Sequence, residues 1–180
     1  MVYDKRPIYL NIAYGQLQKY MGKNQEPKSV MAVEGNLLAL KVVNKTIRTK
    51  LIDYLYVTMI DKEEDETYVI EVPLQSSAGP NIIRSLKSGL ATTGSLIGKK
   101  VKIQPYPKEK DGIQYTNATL YLNGEKLPWA DIPVNVNTRD AIAAMTAEIQ
   151  AHLINAGGTA IPSIATPEEG EVNPFDEIVR

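Results

Sequence analysis

The sequence has no cysteine, one histidine, one tryptophan and one phenylalanine among its 180 residues. Without cysteine there is no disulfide framework, no thiolate nucleophile and no Cys-ligated zinc or iron-sulfur site, so the expected context is intracellular. With His152 as the only histidine, a Ser/His/Asp triad would depend on that one residue, and a His-rich metal site is excluded. No apolar run has the length of a bilayer crossing, and Met1 to Arg6 is polar with no apolar stretch behind it. The expectation is a soluble, unprocessed cytoplasmic protein without a membrane partner. Phosphate-loop, dinucleotide and hydrolase-elbow motifs are all missing, as are internal repeats. The acidic run Asp61 to Glu66 has the composition of a cation site but lacks the central Gly and the position-12 Glu of a calcium loop. It reads as a charged hairpin loop. No cofactor is expected, and no enzymatic function.

Tyrosine is the aromatic the chain does have, ten of them, and it is the one that tolerates an exposed position. Charge is nearly balanced, with 20 Lys plus Arg against 21 Asp plus Glu, but unevenly placed. Residues 166–180 hold five acids, Glu168, Glu169, Glu171, Asp176 and Glu177, and one base, Arg180, a balance of −4. Residues 1–165 therefore carry 19 bases and 16 acids, a balance of +3. Such asymmetry is what a basic binding surface with an acidic tail produces; a solvated tail on an ordinary domain gives it equally.

The length suits one domain with extensions. Residues 7–14 alternate and read as a strand, followed by a polar stretch with Lys19, Lys23 and Lys28, so residues 1–28 read as a strand and basic arm. Strands are expected at 30–34, 36–46, 51–60, 67–74, 96–105 and 113–123. A helix starts after Gly79-Pro80 with the stripe Ile82, Ile83, Leu86 and Leu90. A second runs from Asn137 or Thr138 through Ile142, Met145, Ile149 and Leu153 to Gly157-Gly158, occupying the segment 135–157, where it would cover the barrel or form a dimer contact. Residues 158–180 read as a disordered acidic tail. A helix between the third and fourth of the main strands is the order of a five-stranded Greek-key barrel of the OB type, expected over 29–134 in a mainly β fold.

In such a barrel alternate residues face outward. Opposite the aliphatics stand Tyr54 and Tyr56 on one strand, Lys41 and Lys45 on another, Lys100, Lys102 and Tyr106 on a third, and Tyr115 and Tyr121 on a fourth, with Arg48 and Lys50 in a turn. Rings that stack on bases beside cations that neutralise phosphates are what single-stranded nucleic acid requires. The plainer reading is that Tyr is a favoured strand residue and Lys a routine outward one. Trp129 is either a core plug or a stacking residue at the rim, and His152 a surface or helix-packing residue. The segment from Pro167, with Phe175 and Ile178 among its acids, could bind partner proteins or compete with nucleic acid for the groove.

The stretch Tyr9-Leu-Asn-Ile-Ala-Tyr-Gly, the run Gly98-Lys-Lys-Val-Lys-Ile and the run Tyr115-Thr-Asn-Ala-Thr-Leu-Tyr-Leu-Asn-Gly-Glu-Lys-Leu resemble single-stranded DNA-binding proteins of tailed bacteriophages, particularly large phages of gut Bacteroidetes. The resemblance covers about residues 7 to 130. It implies an OB-fold binder acting in phage DNA replication and recombination, in the host cytoplasm. The tail is similar to the acidic tip of bacterial single-strand binders, which implies replication or recombination proteins as partners of Glu168, Glu169, Glu171, Phe175, Asp176 and Glu177. Here Asn173-Pro174-Phe175 is followed by Asp-Glu-Ile-Val-Arg, so the Phe is not terminal. The alternative is a β-barrel protein-interaction or virion component with a tyrosine-rich interface; an accessory nuclease is a further rival. Self-association stays open.

Overall fold

The computed structural model describes residues 5–157. Its frame is a meander of three long strands, β4 (Val33–Ile47), β5 (Lys50–Asp61) and β6 (Glu66–Pro73), preceded by the short β1 (Ile8–Ala13), β2 (Gln16–Lys19) and β3 (Lys28–Val30). Helix α1 (Ala78–Thr93) leads to β7 (Lys100–Lys110), β8 (Ile113–Leu122) and β9 (Glu125–Lys126), and α2 (Thr138–Gly157) closes the described chain. The strands form one nine-stranded mixed sheet in the order β3, β2, β1, β6, β5, β4, β7, β8, β9.

This sheet corrects the expected five-stranded barrel. The third strand of the meander, β6, does not meet the last strand of the domain. It pairs in parallel with β1, from Ile8 opposite Tyr68 to Asn11 opposite Glu71. The segment expected as a basic arm is thus a three-strand extension of the sheet, and the sheet stays open, with β3 and β9 as its edges. It curls nonetheless. At the β1–β2 turn the Gly15 N–H donates to Thr116 Oγ1 on β8 at 2.8 Å. A Cβ on Gly15 would lie 2.7 Å from Pro107 Cβ, and its φ of +75° favours glycine.

The strands expected at 30–34 and 36–46 are largely one continuous strand, β4, with a register irregularity between Leu37 and Ala39. The extra residue shifts parity, so Glu34 and Asn36 share a face with Lys41 and Lys45. The strand expected to end at 105 continues through Pro105 and Pro107 to Lys110. Proline is tolerated there because β7 pairs with β4 only through Lys100 to Ile103, leaving its later residues laddered to β8 alone.

Both helices start and stop on local signals. Pro80 lies in the first turn of α1, and Gly94, at φ +75°, ends it with its N–H on the Leu90 carbonyl at 2.8 Å. The Asn137 side chain accepts the Arg139 N–H at 2.8 Å and caps α2. Ile82, Ile83 and Leu86 of α1 and Ile142, Met145, Ile149 and Leu153 of α2 are buried in one core with Leu55, Val57, Met59, Ile70, Ile103 and Leu120. Each such side chain contributes about 1.5 to 3 kcal/mol. No helix of the described residues is long and apolar enough to cross a membrane.

Candidate nucleic-acid interface

The core takes one face of the sheet; the other face carries most of the tyrosines. Register sets the positions. Tyr54 and Tyr56 of β5 stand opposite Val43 and Lys41 of β4, and Tyr56 also opposite Glu71 of β6. Glu71 stands opposite Asn11 of β1 and Asn11 opposite Gln18 of β2, which places Tyr9 on the same face. Tyr20 is opposite Tyr9 and donates its N–H to the Tyr9 carbonyl at 3.0 Å. Across β4, Glu34 is opposite Lys102, Lys102 opposite Tyr121, Tyr106 opposite Asn117, and Lys108 opposite Tyr115. Tyr9, Tyr20, Tyr54, Tyr56, Tyr106, Tyr115 and Tyr121 therefore share one face, seven of the ten tyrosines. Tyr9 and Tyr20 escape the reading of the main strands, although Ile8, Leu10 and Ile12 alternating with Tyr9 and Asn11 already mark the outward parity.

A shared face is not uniform exposure. Tyr56 is 0% exposed and donates its hydroxyl to Glu71 Oε2 at 2.8 Å, which corrects its assignment as an exposed stacking ring. Lys45 Nζ donates to the same oxygen at 3.0 Å, with only 14% of its side chain exposed, and lies 4.8 Å from the Tyr54 ring centroid and 5.1 Å from that of Tyr56. This buried cation already has a carboxylate, so it is a support for the face rather than a mobile phosphate ligand. Lys41 is exposed, and Arg48 and Lys50 sit at the tip of the β4–β5 ribbon, where Arg48 and Thr49 take the positive φ values of a two-residue hairpin turn. At the base of the ribbon Asp53 accepts from Asn44 Nδ2 at 2.6 Å and from Arg139 of α2 at 3.4 Å.

The β7–β8 part of the face is more open. Lys102 Nζ lies 5.4 Å from the Tyr121 centroid, a cation over a half-buried ring. Tyr106 is half-buried, Tyr115 is 40% exposed, and Lys108 opposite it is exposed. Lys100 reaches out of this row to Glu63 Oε1 at 2.7 Å, and the hydrogen bond and charge of Glu63 hold its ammonium above the ordinary lysine pKa. Both ends of the face thus carry bases, one on each long hairpin, with rings between.

Trp129 lies at the rim, 39% exposed, with the Arg84 guanidinium 5.7 Å from its ring while Arg84 Nε donates to the Ala130 carbonyl. His152 packs between elements: its Nε2 accepts the Leu96 N–H at 3.1 Å, tying α2 to the loop after α1. Among the described residues no group of His, Asp and Glu could hold a metal ion. Glu168, Glu169, Glu171, Phe175, Asp176 and Glu177 lie outside the described residues.

Comparison with protein-family models, curated proteins and solved structures gives no match for this chain. The likeness to phage single-strand binders therefore rests on the residues quoted for it alone.

Proposed function

We propose that this chain binds single-stranded DNA with little sequence preference, holding it extended across the tyrosine face. The observation that carries the reading is the register that brings seven tyrosines onto one face between two basic hairpins. Tyr106, Tyr115 and Tyr121, with Tyr54 at the centre, offer rings to bases; Lys41, Arg48, Lys50, Lys102 and Lys108 offer cations to phosphates. Lys100 joins them by exchanging Glu63 for a phosphate oxygen. In the setting the resemblance implies, such binding protects strands in phage DNA replication or recombination, and the acidic tail recruits proteins of those processes.

Fluorescence anisotropy with labelled oligo(dT) tests this. Stacking contributes about 1 to 3 kcal/mol per base, so Tyr121→Ala and Tyr106→Ala should each weaken binding by about fivefold to a hundredfold. Absence of binding by the unaltered protein at low salt sinks the proposal, and a stable protein partner in its place would favour the interaction-component reading.

A further inference from the structure

Two buried side-chain oxygens lack a hydrogen-bond partner among the described residues: Ser85 Oγ and Asn11 Oδ1. They differ in kind. Ser85 lies on α1 and is fully buried, where no ligand could reach it. Asn11 lies on the tyrosine face and keeps part of its side chain exposed while its oxygen is covered. Its strand neighbours on that face are Glu71 on one side and Gln18 on the other, with Tyr9 two residues before it and Tyr20 opposite Tyr9. The adjacent polar groups do not supply the missing donor: Tyr56 gives its hydroxyl proton, and Lys45 one of its own, to Glu71, and neither bonds Asn11 Oδ1.

An acceptor buried without a donor costs about 1 to 3 kcal/mol in the folded protein. That cost is tolerated where a ligand brings the donor. Here the neighbours are the rings of Tyr9 and Tyr20 and the Glu71 carboxylate, already matched by Lys45, so the surroundings disfavour a phosphate and fit the base of a nucleotide. Every base has an N–H on its Watson–Crick edge, at thymine the N3–H. The last torsion of asparagine is broad, so its oxygen can turn toward the exposed side without straining the strand.

We infer that Asn11, on the β1–β2 extension, is a base-contacting residue: a nucleobase laid beside Tyr9 and Tyr20 donates a Watson–Crick-edge N–H to Asn11 Oδ1. This rests on the single-stranded DNA reading and adds to it a hydrogen-bonding contact that stacking and phosphate neutralisation do not include. It extends the site onto strands β1 and β2, which the expected barrel would have left out.

The test compares oligo(dT) with an oligomer of N3-methylthymidine, which keeps rings and phosphates but lacks the N3–H, using the full chain. The unaltered protein should bind the methylated oligomer about threefold to tenfold more weakly, the yield of one neutral hydrogen bond. Asn11→Ala should lose that discrimination, binding both oligomers alike, whereas Asn11→Asp, which keeps an acceptor, should retain it despite a lower overall affinity. The denaturation midpoint of Asn11→Ala should be unchanged or raised, since the substitution removes an unpaired buried acceptor. Equal binding of both oligomers by the unaltered protein overturns the inference while leaving the DNA reading intact. Retained discrimination in Asn11→Ala overturns it as well. Binding of neither oligomer by the unaltered protein refutes the function and this contact together.

Discussion

At the scale of single residues, depth separates the tyrosines that share a face. Tyr56 and Tyr121 have the same outward parity, yet Tyr56 is sealed against Glu71 and Lys45 while Tyr121 keeps part of its ring open under Lys102. Tyr56→Phe should therefore cost about 1 to 3 kcal/mol of stability, because it removes one donor from a buried carboxylate. Its oligo(dT) affinity should stay within about twofold of the unaltered protein, since no hydrogen bond to the strand is lost. Chemical denaturation and anisotropy check the two halves of that expectation, and an affinity loss matching that of Tyr121→Ala would count against the buried placement. Tyr68 provides a residue-level test of a different kind. Burial, reinforced by its hydrogen bond to Glu66, raises its pKa from 10.0 to about 12. A raised folded-state value means that the unfolded chain loses this proton first. The contribution of Tyr68 is complete below about pH 10 and declines as pH rises toward about 12. Denaturation midpoints across that range should fall more steeply for the unaltered protein than for Tyr68→Phe.

At the scale of elements, the β1–β2 turn is held close to β7 and β8 where the sheet curls. Gly15→Ala would place a methyl group 2.7 Å from Pro107 Cβ at a φ of +75°, adding a clash to backbone strain. A loss of about 1 to 3 kcal/mol in stability is expected, together with faster amide exchange in the β1–β2 extension. Exchange confined to other elements would contradict that role for the turn. The helices were legible in the sequence because their signals are local: Pro80 and Gly94 bound α1, and Asn137 caps α2. Strand parity was legible for the same reason, since Leu55, Val57 and Met59 mark the inner face of β5 without help from any other strand. The pairing of β1 with β6 was not, because a parallel ladder between residues about sixty positions apart leaves no trace in either segment. Nor was the extension of β7 beyond residue 105 through Pro107, because only the absence of a β4 partner beyond Ile103 removes the objection to proline. The burial of Tyr56 was equally hidden, as it depends on side chains from β4 and β6 converging over β5.

At the scale of the whole molecule, near-neutral charge conceals an uneven placement of acids and bases along the chain. Acids gather in the Asp61 to Glu66 loop and in residues 166–180, while bases occupy both long hairpins and flank the tyrosines. The strand order spreads those tyrosines across the sheet from the β1–β2 end to β8, with Tyr56 buried among them. A strand laid across that face would meet basic side chains on both long hairpins, so the proposed binding should involve several phosphates at once. The most direct measurement is the affinity for labelled oligo(dT) across a series of salt concentrations. Log affinity should fall linearly with log salt, with a slope of about −0.7 for each phosphate neutralised and a total corresponding to several phosphates. An affinity independent of salt, or no detectable binding at the lowest salt, would contradict the account.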